Sequence, residues 1–418
     1  MGDKRKNLIL LTDNYPLSLG EFFLEIEIKY LARHFEDIFI ICSSKSENTF
    51  GRYVPKNCTI LHYELDFSFV EKLISIKGLF NKIIWDELDN LKFRIKPTDI
   101  YHILKVALIE LRKAQKLSGF LHQVVKENNL SPKELIFYSY WHDYKALSLS
   151  LMKQENSHYF CVARGHGWDI FSERHRSSYL PFKIFIINTL NKTFSISSAG
   201  KDALKELNVV IEQDKIEVSR LGTNNEFKPN LKKSTKGYIV CSCSNLIGLK
   251  RVDLLIKVIS CIKLENFQWI HFGDGPLRME LEELAAKHIN FVKFKFFGYI
   301  KNSELIRFYN ENFIDLFINL SQYEGIPVSI MEAQSAGIPV LATDVGGVSE
   351  IVNDENGFLV HPDIKPANLA HKIRESLILE SSMEPRRRAS YLNWQINYNA
   401  TKNYDYFLAQ LNRLSCAQ

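Results

Sequence analysis

The sequence predicts an α/β protein built on two doubly wound parallel sheets, and three observations carry that expectation. Strand-like and helix-like segments alternate almost throughout the chain, the pattern of parallel strands joined by helical crossovers. The alternation runs twice, on either side of a polar, aperiodic stretch from Asn224 to Lys236 that reads as a linker. A length of 418 residues gives room for two or three domains. Doubly wound sheets bind ligands beyond the carboxyl ends of their strands, so two such halves predict a cleft at the strand ends of both.

The elements follow in order. NLILLT is the first strand. The turn DNYPLSLGE leads into EFFLEIEIKYLARHF, an amphipathic helix with Glu21 in its first turn. DIFIIC is the second strand. A variable stretch to about Asp66 precedes a long helical region, Ser68 to Asn128. ELIFYSY is a strand and DYKALSLSLMK a helix. YFCVA is a strand ending at Arg164-Gly165-His166-Gly167. KTFSIS and AGKDALKEL form a strand and a helix, and KIEVSRLG closes the first half. In the second half the strands are GYIVCSCS, FQWIHFG, FVKFKFFG, FIDLFINL, IPVLAT and GFLV, each a short apolar or β-branched run. Asn393 to Leu414 has helical spacing. The domains expected are 1–222, 223–392 and a C-terminal helical segment, 393–418.

Composition excludes several classes. The apolar fraction of 46% and charged fraction of 24% are those of a soluble globular protein. No apolar run approaches the roughly 18 residues a transmembrane helix needs. The basic start MGDKRKNLILL has too short an apolar run for a secretory signal and no small-residue cleavage site. The 7 cysteines are odd in number, and no C-x2-C pair occurs, which points to a reducing cytoplasm and no zinc site. Net charge is only +5, and no nucleic-acid-reading motif appears, so nucleic acid is not an expected partner. The charge is uneven. Lys72 to Lys133 holds twelve Lys or Arg against six Asp or Glu, a modest basic surface on the helical region.

The stretch Ser321 to Glu350, SQYEGIPVSIMEAQSAGIPVLATDVGGVSE, organises the functional reading. Glu324 and Gly325 form a tight turn after a strand. Pro327 suits the first position of a helix, which runs through Glu332 and stops at Gly337. Ile338 to Thr343 is a buried strand, and Val345-Gly346-Gly347 opens another helix. A bare helix start carries free N–H groups and the positive end of the dipole, and it binds phosphate. Glu324 and Glu332 flank it, and carboxylates accept hydrogen bonds from sugar hydroxyls. The arrangement suits a sugar nucleotide: diphosphate at the helix start, ribose near Glu332, hexose near Glu324. Spacing alone also fits an ordinary β–turn–α–β unit with two solvated glutamates.

The full string, E-x7-E followed by A-x2-A-G-I-P-V and D-V-G-G, resembles the donor-site signature of the GT-B retaining glycosyltransferases of family four. That resemblance implies two Rossmann-like domains facing a cleft, with a C-terminal helix crossing back to the first. Donor-binding residues would be Lys250, Gly273, Gly275, Gly298, Tyr299, Gly325, Ile326, Pro327, Val328 and Glu332. In NLIGLKRVDLLI, Lys250 matches the family lysine, while Asn245 stands where the family has Arg; Arg251 is a substitute one residue off. HFGDGPLRMELEEL would line the base pocket through Gly273 and Gly275, with Gly298 and Tyr299 as the neighbouring wall. By the same resemblance ARGHGWDIF supplies the active-site histidine, His166, with Asp169 orienting it or binding acceptor. YPLSLGEFF supplies Gly20 near phosphates and acceptor, with one glycine where many relatives have two. YSYWHDYKA makes Trp141 and His142 acceptor-side candidates, and core packing is the alternative for both.

The resemblance implies transfer of a hexose from a UDP- or GDP-linked sugar, with retention, to a glycan acceptor, lipid-linked in polysaccharide, lipopolysaccharide or capsule synthesis. His166 and Glu324 are the expected catalytic residues. No cofactor or metal is expected. A cytoplasmic location is expected, with peripheral contact to an anionic inner membrane through the basic helical region, set against a merely solvated helix surface. The alternatives are a sugar-nucleotide epimerase or phosphorylase on the same fold, and a non-catalytic partner. The absence of D-x-D disfavours a metal-dependent transferase of the other fold. The absence of G-x-G-x-x-G after the first strand disfavours a dehydrogenase. H-E-x-x-H and G-x-S-x-G are absent too.

Overall fold

The computed structural model describes residues 6–18, 20–44, 52–65, 67–91, 96–207, 214–229, 231, 237–378 and 380–416. It divides into two compact units, one of Met1–Arg220 with Tyr404–Gln418, the other of Leu221–Asn403.

Among the described residues the first unit holds seven parallel strands: β1 (Asn7–Thr12), β2 (Asp37–Cys42), β3 (Cys58–His62), β4 (Leu135–Ser139), β5 (Phe160–Gly165), β6 (Lys192–Ser195) and β7 (Ile216–Val218). Their order in the sheet is β3-β2-β1-β4-β5-β6-β7. The strands read as continuous apolar runs because helices cover both faces. The helix Ile100–Glu127 buries Leu108, Leu111, Ala114, Leu117, Leu121 and Val124, a three-and-four spacing that lays one stripe against the sheet layer. Local patterning announces neither β3, in the variable stretch before Asp66, nor the helix Lys183–Thr189.

A buried ion pair anchors this unit. Arg164 Nη1 lies 2.6 Å from Glu27 Oε2, both side chains fully buried. Tyr138 and Tyr140 each donate a hydroxyl to Glu27 at 3.1 Å. Burial pushes the Glu27 carboxyl up, and the three donors oppose that. The guanidinium also stacks 4.3 Å from the centre of the Phe407 ring. Phe407 belongs to the last helix, Ala400–Cys416.

Among the described residues the second unit holds six parallel strands: β8 (Tyr238–Cys243), β9 (Phe267–Phe272), β10 (Lys293–Gly298), β11 (Leu316–Asn319), β12 (Val340–Thr343) and β13 (Gly357–Val360). Their order is β10-β9-β8-β11-β12-β13. All six expected strands of this half are present. Asn393 to Asn403, expected as part of the C-terminal segment, groups with this unit. Trp394 donates its indole N–H to Thr223 Oγ1 at 2.9 Å, and the Thr223 amide donates to the Tyr398 carbonyl at 2.9 Å. Of the expected linker, Asn225 is fixed by its side-chain amide on the Ser335 carbonyl, at 2.9 Å; residues 230 and 232–236 lie outside the described set.

Strand order reverses between β1 and β4 in one unit and between β8 and β11 in the other. Loops leaving the carboxyl ends of adjacent strands there diverge to opposite faces and leave a crevice.

Candidate functional site

In the second unit the loops after β8 and β11 meet, bringing Lys250 and Glu324 together across 74 residues of sequence. Lys250 Nζ donates to Glu324 Oε1 at 2.6 Å. The side chains are 20% and 11% exposed, so the pair is shielded yet reachable. Three bonds set the glutamate turn. The Gln322 amide donates to the Leu249 carbonyl at 2.9 Å, and the Gly347 amide to the Gly325 carbonyl at 2.9 Å. The Thr343 hydroxyl donates to the Ser321 carbonyl at 2.6 Å. Gly346 completes the fit. Its φ is +55°, and a Cβ there would fall 1.9 Å from the Glu324 carbonyl oxygen, so only glycine lets the two turns touch.

Beyond this turn the helix Val328–Ser335 begins. Pro327 stands just before it, with φ −68° and ψ 121°, one place earlier than the sequence suggests. Gly337 lies past its end with φ +70°, the left-handed stop expected from the sequence. The Pro327 carbonyl takes the Ile330 and Met331 amides at 3.1 and 3.3 Å. The amides of Val328 and Ser329 have no protein acceptor among the described residues. Such a helix start favours an anion. The expected second helix after Gly347 is a single 3-10 turn, Val348–Glu350.

Glu332 points inward and is buried. Loss of solvent pushes its carboxyl up to about 8, against a hydrogen bond donated by the Asn302 side chain that lowers it. It is therefore largely protonated at neutral pH and able both to donate and to accept. Cys243, at the end of β8, feels both charges: burial raises its thiol, Glu332 raises it further and Lys250 lowers it. One strand end thus lies within electrostatic reach of both glutamate clusters. Arg251 does not substitute for a missing cation here, because its guanidinium donates to the Pro362 carbonyl at 2.8 Å. Asn245 is exposed.

Gly273 and Gly298 pair, the Gly273 amide donating to the Gly298 carbonyl at 2.9 Å. With φ +127°, Gly273 sits where a Cβ would lie 1.9 Å from the Ser244 carbonyl oxygen. The loops after β8, β9 and β10 are therefore packed backbone to backbone, and Gly275 approaches Leu246 in the same way. Tyr299 follows this pair and is exposed.

In the first unit, His166 and Asp169 meet in the loop after β5. Asp169 orients the segment through the backbone: it accepts the His166 amide at 2.7 Å and the His142 amide at 2.6 Å. Both carboxylate oxygens are so engaged and the residue is buried, which ties the β4 and β5 loops together. His166 Nε2 lies 3.0 Å from the Tyr140 carbonyl. A carbonyl only accepts, so Nε2 carries the proton and Nδ1 presents a lone pair. Burial, with the nearby Arg164 charge, holds the imidazole down at about 3, so it is neutral. The Phe23, Tyr140 and Trp141 rings surround it. His142 is core: fully buried, with Nε2 3.3 Å from the Thr193 hydroxyl and Nδ1 3.2 Å from Lys183 Nζ.

Gly20, with φ +127°, lies in the loop after β1. Glu21 is not in the following helix, which starts at Leu24. Its carboxylate accepts the amides of Asp13, Asn14 and Tyr15 at 3.0, 2.7 and 2.6 Å, and the Trp141 indole N–H. Arg52 grips the same loop, donating to the carbonyls of Ser18 and Gly20 at 2.7 Å each. Arg52 and Asn302 were not singled out from sequence. Each lies in a segment without a motif and acts through a partner distant in the chain.

Residues 223–392 match the family model described as glycosyl transferases group 1. Over 176 residues the chain is 30% identical to one component of the phosphatidylinositol N-acetylglucosaminyltransferase of Arabidopsis thaliana, spanning 40% of this chain and 38% of that protein. Over 242 residues it is 29% identical to the O-antigen biosynthesis glycosyltransferase WbnH of Escherichia coli, spanning 57% and 66%. The chain thus spans less than two-thirds of the length of each. Among solved structures, the Anabaena protein HepE in complex with UDP superimposes with a TM-score of 0.65 at 16% identity, over 98% of this chain and 100% of that one. The fold is GT-B, with its two parallel-sheet α/β domains.

Proposed function

From a second unit whose residues 223–392 match the model of the glycosyl transferases group 1, we infer a retaining glycosyltransferase that moves a hexose from a nucleotide sugar to a glycan acceptor, lipid-linked, in surface polysaccharide synthesis. One observation carries the reading: the Lys250–Glu324 pair beside the unsatisfied amides of Val328 and Ser329. A cation and two helix-start N–H groups with no protein acceptor among the described residues suit a diphosphate, and an acid stands next to the cation. Bacterial relatives named for O-antigen synthesis and a fold neighbour holding UDP support the substrate class.

In the reaction the bond from the anomeric carbon to the phosphate oxygen breaks, and its electron pair leaves with the nucleoside diphosphate. The acceptor hydroxyl oxygen bonds to that carbon on the same face, and its proton passes to the departing phosphate. Negative charge develops on the diphosphate. Lys250 and the helix-start amides stabilise it there, in the role a metal plays elsewhere. For this Lys250 exchanges the Glu324 carboxylate for phosphate, and Glu324 is released to hold donor hydroxyls. Glu332, protonated, donates to and accepts from the ribose. His166, neutral, offers Nδ1 to a hydroxyl. The acceptor's lipid implies work at the inner face of a membrane.

Thermal-shift screening against UDP, GDP, ADP and their sugars identifies the donor. With that donor, Lys250→Met and Glu324→Gln are each expected to lower kcat by about a hundredfold or more without unfolding the protein. Undiminished transfer by a folded Glu324→Gln protein sinks the assignment. Product analysis with and without acceptor separates transfer from epimerisation.

A further inference from the structure

The helix Phe69–Ser75 is turned inside out for a water-facing helix. The residue it buries is Ser75, while Phe69, Val70 and Leu73 are 73%, 60% and 52% exposed. The 3-10 turn that continues it, Ile76–Phe80, buries nothing, and Phe80 at its tip is 93% exposed. Phe69, Leu73 and Ile76 fall four and three residues apart and so form one stripe, and Phe80 lies exposed at the end of the 3-10 turn that follows. Trp85 and Tyr101 add two more exposed aromatic rings. Ordinary packing puts such a stripe against a core; an exposed one of this size marks a docking surface.

Cations border the stripe. Lys72 and Lys77 have no ion-pair partner among the described residues. Beside it lies a cavity of about 430 Å³, lined by Lys77, Lys82 and Arg112 together with Leu108 and Leu111; Lys82 pairs with Asp86 at 2.7 Å and Arg112 with Glu71 at 2.8 Å. Lys72 and Lys77 beside the apolar stripe match lipid phosphates and the first carbons of their chains. On the next helix, Lys82–Leu91, Glu87 is turned inward and accepts from the Tyr179 hydroxyl and the Phe182 amide at 3.0 and 2.8 Å, while the exposed Asp86 is taken up by Lys82 at 2.7 Å. No helix among the described residues is long and apolar enough to cross a membrane.

The geometry points to an anionic phospholipid bilayer as the occupant: Phe69, Leu73, Ile76 and Phe80 enter the acyl boundary while Lys72 and Lys77 meet phosphate headgroups. An interfacial helix shows this division of faces, apolar side chains flanked by cations. The inference deepens the lipid-linked reading of the acceptor, since it places the first unit on the surface that carries one.

Flotation of the full chain with vesicles of phosphatidylglycerol and phosphatidylethanolamine, against phosphatidylcholine alone, tests it. Wild type floats with the anionic vesicles. The triple variant Phe69→Ser, Leu73→Ser, Phe80→Ser and the double variant Lys72→Glu, Lys77→Glu each lose about tenfold or more in partitioning, with circular dichroism unchanged. A tryptophan placed by Phe80→Trp blue-shifts on adding anionic vesicles. Wild type that stays unbound, or a triple variant that floats equally well, overturns the proposal. So does a wild-type dimer by light scattering that the triple variant abolishes, since the stripe is then covered by a second copy. No sugar nucleotide enters the assay, so its failure leaves the transfer reading standing, and failed donor binding leaves the docking face standing.

Discussion

Glu332 shows how far burial can change a residue that looks ordinary in sequence. A glutamate inside a helix reads as a carboxylate, but with Asn302 as its hydrogen-bond donor its carboxyl is held near 8. The folded protein therefore binds a proton that the unfolded chain releases above the usual carboxylate range. Stability credited to the neutral form is complete below about pH 4.5 and fades as pH rises towards 8, because ionisation then favours the unfolded state. Relative to Glu332→Gln, which cannot ionise, wild-type stability is expected to fall by up to about 1.4 kcal/mol per pH unit in that window. Urea titrations of both proteins from pH 5 to 8 check this; parallel curves refute it. Donor binding should weaken in Glu332→Ala and largely survive in Glu332→Gln.

Between elements, the decisive contact is backbone on backbone. The turn Asp344–Gly347 presses on Glu324–Gly325, and Gly346 makes the approach possible. Gly346→Ala combines a left-handed φ with a Cβ at 1.9 Å from a carbonyl oxygen. It is expected to cost roughly 1–3 kcal/mol and to tilt Glu324 away from Lys250. Calorimetry with the identified donor should show affinity falling at least tenfold while circular dichroism stays native. The D-V-G-G string is legible in sequence as a motif; that its glycine serves the glutamate turn some twenty residues earlier is not. In the first unit the Glu21 carboxylate has the same standing: adjacent in sequence to Gly20, it caps three amides of the β1 loop and the indole of Trp141. A helix-start glutamate carries no local sign that it will do so.

At the scale of the molecule, the chain's end completes its beginning. From Tyr404 on, the last helix groups with the first unit. Phe407 packs there on Arg164, Tyr138 and Phe194. Phe407→Ala leaves a cavity against a buried guanidinium and is expected to cost about 3–5 kcal/mol, all of it in the first unit. Limited proteolysis should then cut first within 6–207, while protection of the second unit by the nucleotide identified in the screen persists. Equal sensitivity of both units contradicts the division.

The α/β alternation, the six strands of the second unit, the Gly337 helix stop and the helix start beyond Glu324 are all legible locally, because periodicity, β-branching and turn chemistry act over a few residues. Which of these elements meet follows from the folded arrangement alone. Strand order reverses at β8 and β11, and that reversal, not any local signal, closes Lys250 on Glu324 across 74 residues. It also decided protonation, sealing His166 and Glu332 away from water so that each is neutral where sequence reads a titrating group. Solvation is a property of the surrounding fold, and no residue carries it in its own name.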